Sequence, residues 1–139
     1  VSVFVLDASV AIAWLLNEDT GGQADLALTL LVDEDALVPQ LWHLEVRNGL
    51  LTAIRRGRIE VDAASERLRA LYLLPIRTDA EADPDIAFDL ARRHALTIYD
   101  AVYLELSERH TAPLATLDKA LAKAAAGFGL PLVCDLGIL

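Results

Sequence analysis

Val3–Leu6 is a wholly apolar run that ends at Asp7-Ala8-Ser9 and passes directly into a second, helix-length segment, Val10–Asn17. A run this short, with no polar alternation, reads as a strand buried on both faces. The arrangement recurs. Ala36–Pro39 precedes a helix over Leu41–Arg56, Leu114–Thr116 precedes a helix over Asp118–Ala126, and Leu130–Cys134 reads as a last strand. Pro75–Arg77 reads as a short extended connection or strand, and helices over Gln23–Asp33, Val61–Leu74, Pro84–His94 and Thr97–Arg109 fill the intervals. Local chemistry supports the boundaries: Ser9 suits an N-cap, Gly21-Gly22 and Gly57 interrupt helices, and Pro84 suits a first turn. Short apolar strands alternating with helices imply a parallel sheet covered on both faces. Sites in such sheets lie beyond the carboxyl ends of the strands. Asp7 and Asp118 both follow strands directly, so both should emerge at that edge.

The 139 residues contain no repeat, low-complexity stretch or linker, and the expectation is a single domain over residues 1–139. A hydrophobic content of 55% and a mean hydropathy of +0.39 exclude a disordered chain. The longest unbroken apolar run, Val10–Leu16, has seven residues, against roughly 20 for a membrane helix. No basic segment precedes an apolar stretch, as a signal peptide would require. Cys134 is the only cysteine and has no internal disulfide partner. Together these lead to the expectation of a cytoplasmic protein with no membrane partner.

The net charge is −9, but it is unevenly spread. Residues 1–45 carry eight acids and no Lys or Arg, whereas residues 46–77 carry seven Arg and three acids. An acidic total argues against holding a polyanion by bulk attraction alone. The basic island could be a solvated helix pair, with Arg55 and Arg56 complementing a helix C-terminus. Alternatively Arg47, Arg55, Arg56 and Arg58 are contacts for phosphates beside an acidic pocket.

Asp7, Asp100 and Asp118 each have a bland explanation. Asp7 can bond the turn that Ser9 opens, Thr97-Ile98-Tyr99-Asp100 has capping-box spacing, and Asp118 can cap the helix it precedes. Glu45 has none, because it lies inside a helix. At about 100° per residue, Glu45, Asn48 and Thr52 form a polar stripe roughly 60° wide. Trp42, Val46, Leu50 and Ala53 lie on one side of it, and Leu44 and Leu51 on the other. This suggests a helix packed on both shoulders with its ridge facing a wet cleft, or else a plain solvent face. If the four acids meet, two carboxylates about 4 Å apart repel by roughly 4 kcal/mol at an effective dielectric near 20. Hard divalent cations, Mg2+ or Mn2+, compensate such oxygen-only clusters and can promote water attack on phosphorus. His43, His94 and His110 show no metal-ligand spacing.

Four segments occur in order: Val5-Leu6-Asp7-Ala8-Ser9, Leu41-Trp42-His43-Leu44-Glu45-Val46-Arg47-Asn48, Thr97 through Leu104, and Ala115-Thr116-Leu117-Asp118. Together they resemble the PIN-domain ribonucleases, most closely the VapC toxins of type II toxin–antitoxin systems. The resemblance covers essentially the whole chain. It implies a three-layer α/β/α sandwich with a mostly parallel central sheet and a Mg2+-dependent endoribonuclease site, Mn2+ being a possible substitute. On this resemblance the four catalytic acids are Asp7, Glu45, Asp100 and Asp118. Asp7 and Asp100 are direct metal ligands, Glu45 and Asp118 complete the pocket, and Ser9, Asn48 and Thr116 support it. It further implies RNA as substrate, a VapB-type antitoxin as partner, and a homodimer.

Two other functions fit the residues less well. A receiver-like phosphotransfer domain needs an acidic pair after its first strand and a lysine after a late one; here a lone Asp7 follows the first strand and Lys119 directly follows Asp118. A catalytically inactive PIN-like module binding RNA or protein is the second alternative, and it predicts loss of at least one of the four acids.

Overall fold

A computed structural model describes residues 2–133. The described chain runs β1 (Val3–Leu6), α1 (Ala8–Leu16), α2 (Gln23–Leu30), β2 (Asp35–Pro39), α3 (Gln40–Arg55) and α4 (Val61–Leu71), then β3 (Ile76–Asp79), α5 (Pro84–His94), α6 (Ile98–His110), β4 (Leu114–Ala115) and α7 (Lys119–Gly127). The four strands form one sheet in the order β3-β2-β1-β4, and every pairing is parallel. Phe4, Val5 and Leu6 have no exposed surface, as a strand covered on both faces requires. Helices α1 to α4 pack against one another, while α6 packs on α5, on α7 and across the strands. The result is the covered parallel sheet expected from the alternation of strands and helices, and the α/β/α sandwich that the resemblance implies.

Helix α6 carries the densest burial. Tyr103, Leu104, Glu105, Leu106 and Ser107 are consecutive and all buried, so this helix is enclosed on every side over that stretch. The one charge in that stretch, Glu105, is paired with Arg109 at 2.8 Å, and Arg109 also reaches Asp79 at the end of β3 at 2.8 Å.

Several boundaries differ from those expected. Helix α4 ends at Leu71 rather than Leu74, because Leu74 precedes Pro75, whose ring disfavours helical backbone before it. Helix α2 closes at Leu30, and Leu31 to Glu34 fold back onto it so that Asp35 can pair beside Val3. Residues 76–79 form a full edge strand, in register from Ala36↔Ile76 to Pro39↔Asp79. Its exposed Arg77 and Thr78 discourage further strand addition. The expected last strand is reduced to one parallel bridge, Leu114↔Leu132, among the described residues, and Cys134 lies outside them. Gly57 ends α3 as anticipated. It adopts φ 70°, and Arg58 N–H bonds the Ala53 carbonyl at 2.9 Å, a Schellman closure. Among the described residues no helix is long and apolar enough to cross a membrane.

Candidate active site

Strand order places the site. β1, β2 and β3 step outward in one direction and β4 adds on the other side of β1. The crevice beyond the carboxyl ends of β1 and β4 is therefore a topological switch point, where ligands of open parallel sheets bind. Asp7 follows β1 and Asp118 follows β4, and both line a cavity of about 700 Å³ there. Glu45 reaches it from the second turn of α3 and Asp100 from the first turn of α6. The cavity thus gathers all four acids, with Ser9 and Asn48.

Asp7 is only 6% exposed. Its Oδ2 accepts hydrogen bonds from the Ser9 hydroxyl at 2.6 Å and the Thr116 hydroxyl at 2.8 Å. Ser9 Oγ in turn accepts from Leu117 N–H at 3.0 Å, and Thr116 Oγ1 accepts from Asp118 N–H at 3.0 Å. Two small hydroxyls therefore stitch the turn after β1 to the turn after β4. Ser9 is consequently not the cap of α1: Asp7 occupies that position and Ser9 sits inside the first turn. The Asp7 carboxylate makes no cap bond because both hydroxyls hold it across the sheet edge.

The other acids are oriented in different ways. Asp118 does cap α7, accepting from Leu121 N–H at 3.0 Å. Thr97 caps α6 through the backbone N–H of Asp100 at 3.1 Å, while Asp100 itself lines the cavity. Capping and cleft placement are therefore compatible here, not alternatives. Glu45 accepts a 2.6 Å bond from the Tyr103 hydroxyl. Tyr103, fully buried, was assigned no role from the sequence; it lies three residues beyond Asp100 on α6, hence on the same helix face.

Burial pushes the Asp7 carboxyl above its ordinary range, against the Ser9 and Thr116 hydrogen bonds and with the charges of Asp100 and Asp118. Glu45 is raised by burial and by Asp7 and Asp100, against the Tyr103 bond. Asp100 is raised by burial and by Asp118, against the Thr97 hydroxyl. The Tyr103 phenol is driven up by burial and by its acidic neighbours, and stays a donor.

Among the described residues no Lys, Arg or His lines the cavity. An all-oxygen, like-charged donor set without a basic counterpart is the chemistry a hard divalent cation satisfies. The acids surround the cavity without converging: among the described residues no three Asp, Glu, His or Cys side chains stand as a metal-holding group. Unneutralised carboxylates repel, and holding one ion would draw them inward or bridge through water.

Other expectations resolve differently. Thr52 does not line the cavity, and its place on that side of α3 is taken by Leu41, Leu44 and Gly49. The helix is packed on one shoulder only: Trp42, Val46, Leu50 and Ala53 are buried, but Leu44 is 72% exposed. Arg47, Arg55, Arg56 and Arg58 do not line the cavity. Arg47 donates to the His43 carbonyl and the Tyr72 hydroxyl, each at 2.9 Å, and Arg58 pairs with Glu18 at 3.5 Å. His43, His94 and His110 lie elsewhere, against Tyr72 and Thr78, Phe128 and Asp79.

A four-stranded parallel sheet with acids collected at its switch point defines a class, and the PIN-domain model matches residues 4–127. The chain belongs to the PIN-domain family. It is 37% identical to Ribonuclease VapC3 of Pyrobaculum aerophilum, over 86% of this chain and 92% of that protein. It is 30% identical to Ribonuclease VapC1 of Mycobacterium tuberculosis, over 97% of this chain and 96% of that protein. Among solved structures, PAE2754 from Pyrobaculum aerophilum shares the fold with a TM-score of 0.68, at 23% identity over 88% of this chain and 84% of that one. The family likeness read from the four segments is thereby borne out.

Proposed function

We propose that the chain is a VapC-type toxin: a divalent-metal-dependent endoribonuclease neutralised by a VapB-type antitoxin. The gathering of Asp7, Glu45, Asp100 and Asp118 around one cavity at the switch point carries this reading. The VapC ribonucleases to which the chain is similar support it. Asp7 and Asp100 would hold Mg2+ or Mn2+, with Glu45 and Asp118 completing the shell directly or through water. A bound divalent cation supplies neutralising charge and lowers the pKa of water in the cleft.

The chain's own residues do the rest. Ser9 and Thr116 fix the Asp7 carboxylate through its Oδ2, and Tyr103 fixes Glu45. A carboxylate with a raised pKa is a competent proton acceptor, and Glu45 fills that role for the attacking water. Water oxygen bonds to phosphorus, the P–O3′ bond breaks, and the proton passes to the departing O3′. The products are a 5′-phosphate and a 3′-hydroxyl. In the same reading the chain is a homodimer, and the antitoxin covers exposed apolar surface such as Leu28 and Leu73.

The test is cleavage of single-stranded and structured RNAs with Mg2+ or Mn2+. Activity should vanish in EDTA and fall at least about a hundredfold in Asp7→Asn and Asp100→Asn, the scale of losing a positioned catalytic group. Robust cutting in EDTA would overturn the metal dependence, and tight RNA binding without cutting would favour the inactive binding module.

A further inference from the structure

Helix α6 brings two side chains to the acid-lined cleft, Asp100 as part of its lining and Tyr103 as the donor to Glu45. At about 100° per residue these two share one side of the helix, and Glu105 and Arg109 fall on roughly the opposite side. Among the described residues, side-chain hydrogen bonds tie α6 to other elements at two places only. One is Tyr103, which donates to Glu45 on α3 at 2.6 Å. The other is the far side of the helix, where Arg109 bridges two carboxylates. Its Nε and Nη2 donate to Glu105 at 2.8 and 3.2 Å, and its Nη1 and Nη2 donate to Asp79 of β3 at 2.8 and 3.1 Å. Glu105 also accepts from the Asp83 N–H at 3.4 Å, just ahead of α5.

Between these ties α6 offers buried Leu104 and Leu106, and Ser107, whose buried hydroxyl has no partner. Apolar packing has no preferred direction, which leaves the fine rotation of α6 to the directional bonds. Glu105 is 2% exposed. Stability accounts poorly for it, because a buried ion pair is often no more stabilising than apolar side chains of the same volume. Position accounts for it better. Side chains reach roughly 5–6 Å from a helix axis, so a turn of about 10° moves them by about 1 Å. That would stretch the Tyr103–Glu45 contact from 2.6 Å beyond the roughly 3.0 Å of an O–H···O bond. A displacement of about 1 Å at a reacting centre costs on the order of a hundredfold in rate.

We propose that Arg109, gripping Glu105 and Asp79, is a positioning residue that holds α6 at the rotation where Tyr103 meets Glu45 and Asp100 enters the cleft. The proposal rests on the nuclease reading for what those side chains do and deepens it by naming what aims them. Arg109 touches neither acid of the site and acts only through the helix.

The test replaces the clamp with apolar side chains, Glu105→Leu together with Arg109→Met, which removes both charges and keeps the bulk. The first readout needs no metal: a double-mutant cycle with Tyr103→Phe, followed by the urea midpoint. Arg109 lies about 9 Å along the helix from Tyr103 and shares no partner with it, so a clamp that merely stabilises gives additive shifts. A clamp that positions makes the Tyr103→Phe shift at most about half as large in the apolar background. The second readout is Mn2+ titrated calorimetrically into metal-free protein, whose dissociation constant should rise about tenfold or more. Arg109→Lys keeps the charge and loses the planar fork; it should move both readouts part of the way, and it carries the test if the apolar pair does not fold. Additive midpoint shifts overturn the clamp, as does a Mn2+ affinity within about twofold of a wild type that binds the ion. A wild type that cuts RNA with Mn2+ while the cycle is additive keeps the nuclease reading and loses the clamp. A non-additive cycle in a protein that binds no Mn2+ keeps the clamp and loses the nuclease reading.

Discussion

The bond from Tyr103 to Glu45 joins two helices at the point where a half-buried carboxylate needs a donor. It is also the only side-chain hydrogen bond to Glu45 among the described residues. Tyr103→Phe keeps the volume and removes the donor. Because that bond lowers the Glu45 pKa against burial and the charges of Asp7 and Asp100, its loss raises the pKa further. If ionised Glu45 is required, the acidic limb of the pH–rate profile should move to higher pH, with rates converging on wild type in alkaline buffer. Stability should fall by about 1–3 kcal/mol for the unsatisfied partner, measured by urea denaturation. An acidic limb unmoved by the substitution would remove Glu45 from the proton-transfer role.

At the scale of elements, the spacing of α1 and α3 sets the width of the cleft, and it depends on Gly49. A Cβ at this position would stand 2.5 Å from Ile12 Cδ1 and 2.9 Å from Cγ1, inside van der Waals contact. Gly49 lies one turn beyond Glu45 on the cavity face of α3. Gly49→Ala must therefore rotate Ile12, or else push α3 away and displace Glu45 relative to Asp7. The expected cost is about 1–3 kcal/mol of overpacking, partly offset by alanine's better helix propensity, together with reduced cleavage. Ile12→Ala removes the obstructing atoms. Gly49→Ala should cost less in that background, and the double-mutant cycle should give a coupling of at least about 0.5 kcal/mol. Strict additivity would mean that the helix spacing is set elsewhere.

For the molecule as a whole, the acid cluster opposes folding when no cation neutralises it. The Asp100 carboxyl is raised by burial and by Asp118, so the native state holds more proton than the unfolded chain just above the ordinary carboxylate range. Stability then falls as pH rises through that window. In EDTA at neutral pH, Asp100→Asn should raise the melting temperature by a few degrees, and Mn2+ should raise the wild type more than the variant. A variant less stable than wild type in EDTA would contradict this charge balance. Much of the architecture was legible beforehand. Uninterrupted apolar runs such as Val3–Leu6 announce strands covered on both faces, Gly57 and Pro84 mark helix ends by backbone chemistry that needs no partner, and Glu45 stood out because a carboxylate inside a helix has no cap to make. The α4 boundary is written locally too, in Pro75. Tyr103 donating to Glu45, the hydroxyl of Thr116 bonding Asp7 109 positions away in the chain, and the exposure of Leu44 were not legible, because each depends on which side chain another element brings opposite. Local periodicity and turn chemistry act through neighbours along the backbone and are written in order. Pairing across the sheet edge acts through space, and only packing α3 and α6 over the ends of β1 and β4 decides it.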